Sequence, residues 1–141
     1  NNSCGLHSIV WGTTRDHLRA AKVLLSDGSE AEFRTLTPWR YEAKLLGKGV
    51  ENDLETKIYR RLSELLEEPE TQRRIRENFP KKSIRRRNSG YALDALLDAQ
   101  PFDPDGPDFN LCRLLAGSEG TLAITTELTL NLLPLPPSEV G

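Results

Sequence analysis

Near the end of the 141-residue chain, Leu122, Ile124, Leu128, Leu130 and Leu132 alternate with Thr121, Thr125, Glu127, Thr129 and Asn131. Side chains of a β-strand point to opposite faces in turn, so this pattern predicts a long strand with one face buried. Such a strand needs partners, and a candidate pair lies upstream. The runs LRAAKVLL and SEAEFRTL flank Asp27-Gly28, the dipeptide that supplies the two positive φ angles of a type I′ turn. They predict a β-hairpin between Leu18 and Phe33. Leu6 to Trp11, ended by Gly12, reads as a further short strand followed by a turn.

Between the hairpin and the last strand the apolar period changes. Leu54, Ile58, Leu62, Leu65 and Leu66 form the stripe of an amphipathic helix packed on the sheet, with Asn52 or Asp53 as its N-cap and Pro69 as its end. Glu70 to Phe79 is a charged helical piece with only Ile75 and Phe79 on one face, which suits the surface. Ser89 would cap a short helix running through Leu97. Another short helix falls within Phe109 to Ala116, stopped by Gly117 in the left-handed C-cap position. Thr35 to Val50 is broken by Pro38 and two glycines, and Trp11 and Trp39 are expected to fill core or interface. Leu133 to Pro137 is a proline-rich exit of the kind that leads to a following domain. Strands and helices mix without repeated βαβ units, so the predicted class is α+β, a mostly antiparallel sheet flanked by helices.

Composition removes several functions. With 37% hydrophobic and 28% charged residues and a net charge of −2, the chain has the profile of one soluble domain. A domain of this size buries roughly 68% of its unfolded surface and needs no staple. Cys4 and Cys112 make no Cys-x-x-Cys pair, and His7 and His17 are too few for the usual zinc spacings, so no metal is expected. No apolar run is long enough to span a membrane, and the opening residues lack the pattern of a signal peptide, which makes a reduced, cytoplasmic setting the expectation. The chain has no methionine and opens on Asn-Asn-Ser-Cys-Gly, which predicts a piece of something larger. Walker-type and Gly-x-Gly-x-x-Gly phosphate loops and a Gly-x-Ser-x-Gly elbow are all absent, so a hydrolase is disfavoured. The basic run Lys81 to Arg87 lacks interleaved aromatics in an acidic chain. It reads as a solvated or interdomain segment, with an anionic partner as the alternative, and not as a nucleic-acid face.

Two loops remain as candidate sites. Asn1-Asn2-Ser3-Cys4-Gly5 and Gly117-Ser118-Glu119-Gly120-Thr121 both combine small residues with glycine, so bare backbone N–H groups can approach an anion. Taken singly, each is also a plain tight connection.

Taken in order, NNSCG, SGYALDALL and GSEGTLAITTELTLNLLPLPP resemble the later half of the FAD-binding domain in the vanillyl-alcohol oxidase / p-cresol methylhydroxylase superfamily. The nearest branch is the FAD-linked oxidase group that includes D-lactate and D-2-hydroxyglutarate dehydrogenases and larger fusions with an iron-sulfur domain. LRAAKVLLSDGSEAEF is similar to the same family, whereas about Thr35 to Arg87 lies outside the resemblance and looks like the insertion of longer members. The resemblance implies that residues 1–141 are part of an FAD-binding domain, its second subdomain, with a helical insertion at about 50–80 and a linker at about 134–141. It implies that Asn1, Asn2, Ser3, Cys4 and Gly5 lie against the flavin side of FAD and its diphosphate. Gly117, Ser118, Glu119, Gly120, Thr121 and Leu122 would pack near the flavin ring, with Ile124 and Glu127 along the strand beside it. Ala123 departs from the glycine common at its position, and Ala92 from the Asp or Asn that usually follows Gly-Tyr.

The implied activity is oxidation of a D-2-hydroxy acid of the lactate or 2-hydroxyglutarate type by hydride transfer to flavin, with electrons passed to an acceptor. Any iron-sulfur cluster would lie outside this chain, in the rest of the parent polypeptide. No residue here is a candidate general base; His7 reads as structural or solvent-facing, and Cys4 as a packed or incidental thiol. Two alternatives stay open: a flavoprotein of the same fold with other chemistry such as alkyl transfer, and a non-catalytic α+β module for an anionic partner.

Overall fold

The computed structural model describes residues 2–84, 87 and 90–134. Three strands, β1 (Leu18–Leu24), β2 (Glu30–Arg34) and β3 (Ile124–Leu130), form one sheet in the order β2-β1-β3. Both pairings are antiparallel, and with the flanking helices they give the α+β class expected.

The hairpin forms with Ala21 opposite Phe33 and Val23 opposite Ala31. Its turn differs from expectation. Gly28 N donates to Leu25 O at 3.0 Å and Leu25 N to Ser29 O at 2.8 Å, so three residues make the loop. Gly28 is left-handed at φ 82° and Asp27 is not, because the Asp27 carboxylate is occupied as acceptor from Ser29 N at 2.9 Å and Ser29 Oγ at 2.6 Å. This is the type I turn with a following left-handed residue, not type I′.

Leu6 to Trp11 does not form a strand. Ser8 N and Ser8 Oγ both donate to Gly5 O, at 3.1 and 2.7 Å, and these local bonds start a single turn, α1 (Ser8–Trp11). The second turn, α2 (Thr14–His17), leads directly into β1. In the segment left without a long element, Leu36 bridges to Phe109. Pro38 then occupies the first turn of α3 (Pro38–Leu45), where its missing N–H has no cost.

The helix expected from the leucine stripe is α4 (Asp53–Glu67), capped by Asn52, whose side chain accepts from Glu55 N. Its buried face overlaps the stripe only in part. Glu55, Thr56, Tyr59, Ser63 and Leu66 are buried, while Leu54, Ile58 and Leu62 are only half-buried and Leu65 is exposed. Tyr59 takes the centre because it meets Phe33, Tyr41 and Phe109 in edge and tilted ring contacts, and a buried aromatic ring removes more apolar area than one leucine. Lys44 Nζ pairs with the fully buried Glu55 at 2.6 Å, which holds α3 and α4 together. Leu54, Ile58 and Leu62 instead wall an open apolar cavity of about 350 Å³ with Leu114, Leu115 and Leu122.

The charged helix is α5 (Pro69–Asn78), on the surface with Ile75 as its buried anchor. The next, α6 (Leu93–Leu97), starts later than expected, with Ala92 at its N-cap and no side-chain cap bond; Ser89 lies outside the described residues. The last, α7 (Cys112–Leu115), is one turn long, and Gly117 follows at φ 96°, left-handed as expected. The expected linker lies outside the described residues from 135 onward.

Two expectations about burial fail in whole or in part. β3 is exposed along its whole length instead of half-buried, with Leu128 51% and Ile124 66% accessible. The strand sits at the sheet edge, β1 is its main neighbour, and a bulge between the Lys22 and Val23 pairings shifts its register. Trp11 and Trp39, expected in core or interface, are 56% and 76% accessible, which removes the core half of that expectation.

Candidate functional site

The two glycine-containing loops, more than a hundred residues apart in sequence, meet at Arg15. The joint is built on α2. Thr13 N and Thr13 Oγ1 donate to Asp16 Oδ2 at 2.7 and 2.9 Å, a capping box that fixes this single turn. Within that turn Arg15 points inward, where it is 7% accessible. Arg15 N donates to Asn2 Oδ1 at 2.8 Å. Its guanidinium donates through Nε to Arg113 O at 2.9 Å and through Nη2 to Ala116 O at 2.8 Å. Burial lowers the Arg15 pKa, as do the charges of Arg87 and Arg113, while Asp16 works the other way. An arginine nonetheless stays protonated in a protein.

Gly117 is required here for two reasons. Its φ of 96° is left-handed, and a Cβ on it would stand 3.0 Å from Arg15 Nη2 and 3.5 Å from Asn2 Cβ. Beyond it, Thr121 N and Thr121 Oγ1 both donate to Ser118 O, at 3.1 and 2.6 Å. The two central residues, Glu119 at φ 54° and Gly120 at φ 79°, are both left-handed. The type I′ pattern expected of Asp27-Gly28 therefore occurs at Glu119-Gly120. Tyr91, from the SGY segment, lies 2.7 Å from Thr121 Oγ1. Since the Thr121 proton goes to Ser118 O, Tyr91 is the donor in that pair.

Of the sequence-predicted residues, Asn2 and Ser118 are buried in the joint, and Cys4 is half-buried beside it. Ser3 O accepts from Thr14 N at 3.3 Å and from Thr14 Oγ1 at 3.2 Å. Gly5 receives the two Ser8 bonds already described. Glu119, Gly120 and Thr121 face solvent. The N–H groups of Glu119 and Gly120 have no acceptor among the described residues, and open space stands where a Cβ of Gly5 or Gly120 would be. Leu122 turns to the apolar cavity instead. Ile124 and Glu127 stay on β3, where Glu127 pairs with Lys22 at 2.9 Å across the strands. Asn1 lies outside the described residues, as do Arg85 and Arg86 of the basic run. Within that run Lys82 pairs with Asp98 at 2.9 Å, and Arg87 with Asp94.

Sequence reasoning missed Arg15. The spacing of Thr13 and Asp16 marks a helix start and was a usable signal for α2, but nothing local tells which way Arg15 turns. Among the described residues no group of three His, Cys, Asp or Glu side chains could hold a metal, and no helix is long and apolar enough to cross a membrane.

This α+β body with paired glycine loops matches known proteins along nearly its entire length. Over 136 residues, 96% of this chain and 12% of the relative, it is 34% identical to the D-2-hydroxyglutarate dehydrogenase of Escherichia coli (strain K12). It is 33% identical to the protein of the same name from Pantoea ananatis over 135 residues, again 96% and 12%. A shorter stretch of 33 residues, 23% of this chain and 7% of the relative, is 58% identical to the glycolate oxidase subunit GlcD of Escherichia coli (strain K12). No family model and no solved structure matches the chain. The chain belongs to the FAD-linked oxidase family. Within it, proteins named D-2-hydroxyglutarate dehydrogenase match 96% of the chain, and the chain spans 12% of their length.

Proposed function

We propose that this chain is the second subdomain of an FAD-binding domain of the p-cresol methylhydroxylase type, and that the two loops joined by Arg15 form its flavin-facing edge. Residues at about 50–80 are then the helical insertion, and those from about 134 the linker. The observation that carries this reading is the contact among the three resemblance-bearing segments: Asn2 and Gly117 meet at Arg15, and Tyr91 bonds to Thr121.

The residues fit a flavin and its diphosphate. The left-handed turn presents two N–H groups without protein acceptors, and glycine leaves the approach open. In this reading the Glu119 and Gly120 N–H groups donate to polar atoms of the cofactor, with Thr121 and Tyr91 holding the turn in shape. Asn2 and Ser118, both buried, fix the two loop bases so that the exposed backbone stays in place. The cofactor, when bound, would supply the hydride-accepting centre for oxidation of a D-2-hydroxy acid. None of this chain's residues is assigned to take the substrate proton, so that step falls to the rest of the parent polypeptide. The 2-hydroxyglutarate or lactate type of substrate is taken from the names of the relatives, and the electron acceptor and any iron-sulfur cluster belong outside this chain.

The test is to purify the complete parent polypeptide, record its visible absorbance, and challenge it anaerobically with D-2-hydroxyglutarate, D-lactate and glycolate. Bound flavin bleached by one of these acids is the expected result. Bound flavin that no hydroxy acid reduces would point to other chemistry such as alkyl transfer. A complete polypeptide that holds no flavin would sink the proposal in favour of a module for an anionic partner. The isolated 141 residues are expected to retain little FAD, because they present one edge of the enclosing surface.

A further inference from the structure

Arg15 bonds to the bases of both candidate loops. Its main chain holds Asn2 (N···Oδ1 2.8 Å), and its side chain holds the carbonyls of Arg113 and Ala116 at 2.9 and 2.8 Å, the second of these directly preceding Gly117. The guanidinium is a rigid planar fork, so two donors on two carbonyls set both distance and direction. Charge is a poor reason for its presence. Burial penalises its charge, and the opposing effects of Arg87 and Arg113 on one side and Asp16 on the other leave its pKa lowered. What the site gains from Arg15 is geometry.

We propose that Arg15 is the positioning residue that sets the separation of the two loops, and that it does so through its bidentate fork and not through its charge. This rests on the reading of those loops as flavin-facing. A lysine in its place keeps the charge but offers a single nitrogen that cannot take both carbonyls in the same geometry. The Asn2 bond comes from the main chain and survives such a change, so only the Gly117 side of the joint is released.

The test uses the complete parent polypeptide with FAD as the probe, comparing wild type with Arg15→Lys, Arg15→Gln and a surface control, Arg61→Ala. Expected is bound FAD in wild type and control, and a loss of about tenfold or more in FAD affinity in both Arg15 variants. Amide hydrogen exchange should rise at Ser118 and Thr121 and stay unchanged along the β1–β2 hairpin. Arg15→Lys binding FAD as tightly as wild type, or faster exchange throughout the sheet, would overturn the proposal. If Arg15→Gln does not fold, Gly117→Ala disturbs the same contact from the other side, since its Cβ would stand 3.0 Å from Arg15 Nη2. A folded Gly117→Ala protein with wild-type affinity would equally overturn it. A wild-type polypeptide without FAD sinks the flavin reading and this proposal together, whereas flavin-loaded wild type with unaffected Arg15 variants sinks this proposal alone.

Discussion

Replacing Lys44 by methionine isolates the buried charge that ties α3 to α4. Glu55 is 0% accessible and its Oε1 accepts from Lys44 Nζ at 2.6 Å. Its other oxygen has only the longer 3.3 Å bond from Glu51 N. Lys44 also donates to Gly49 O at 2.5 Å, but Gly49 is exposed and water can replace that bond. The main cost of Lys44→Met is therefore a carboxylate left in the interior without its cation, about 3–5 kcal/mol. Against a typical domain stability of about 5–15 kcal/mol, that is a large share. Each 1 kcal/mol moves the midpoint of a domain near this size by roughly 2–4 °C, so a fall of about 6 °C or more is expected. Far-UV circular dichroism is the suitable probe, because both tryptophans are on the surface and would report unfolding weakly. The double variant Lys44→Met, Glu55→Met should recover most of the loss, since two apolar side chains can replace a buried pair at little net cost. A single variant that loses less than about 1 kcal/mol, the range of an exposed pair, would refute the reasoning.

Alkaline solution should destabilise the fold. Burial pushes the Cys112 thiol and the Tyr41 phenol up to about 12 from their ordinary values, and it raises the Tyr59 phenol as well. These groups bind more protons folded than unfolded, so their contribution is complete below the unfolded pKa and is lost as pH rises toward 12. Each would contribute a slope of about 1.4 kcal/mol per pH unit, and Cys112→Ser should flatten urea midpoints plotted against pH. At neutral pH the half-buried Cys4 should be alkylated before Cys112, whose Sγ is buried and donates to Phe33 O at 3.3 Å; equal rates under native conditions would contradict the packing. Glu119→Gly should raise stability by about 0.5–1 kcal/mol by relieving a left-handed φ on a residue with a Cβ. A loss there, measured by urea denaturation, would mean that the Glu119 side chain contributes a contact of its own.

Features set within a few residues were legible before the fold was known. Asn52 caps α4, Gly117 is left-handed, and the hairpin forms at Asp27-Gly28. Even there the turn type went astray, because the Asp27 carboxylate chose the Ser29 donors over a left-handed backbone. The leucine stripe placed a helix in the right residues, and Leu66 is buried with Leu54, Ile58 and Leu62 packed against the core, but the centre of the buried face is Tyr59. Periodicity reports which residues share a face, and it is silent on whether Tyr59 outcompetes Ile58 for the core.

By itself the sequence determined the α+β class, the loops that resemble a flavin edge, and the residue types those loops use. Only the tertiary structure decided that β3 would be a bare edge strand, that Leu54 and Ile58 would line a cavity, and that Arg15 would join the loops. The reason is range. Caps and turns are settled by bonds three or four residues apart, whereas Arg15 reaches carbonyls 98 and 101 residues away, a pairing that exists only once the sheet has brought both ends of the chain together.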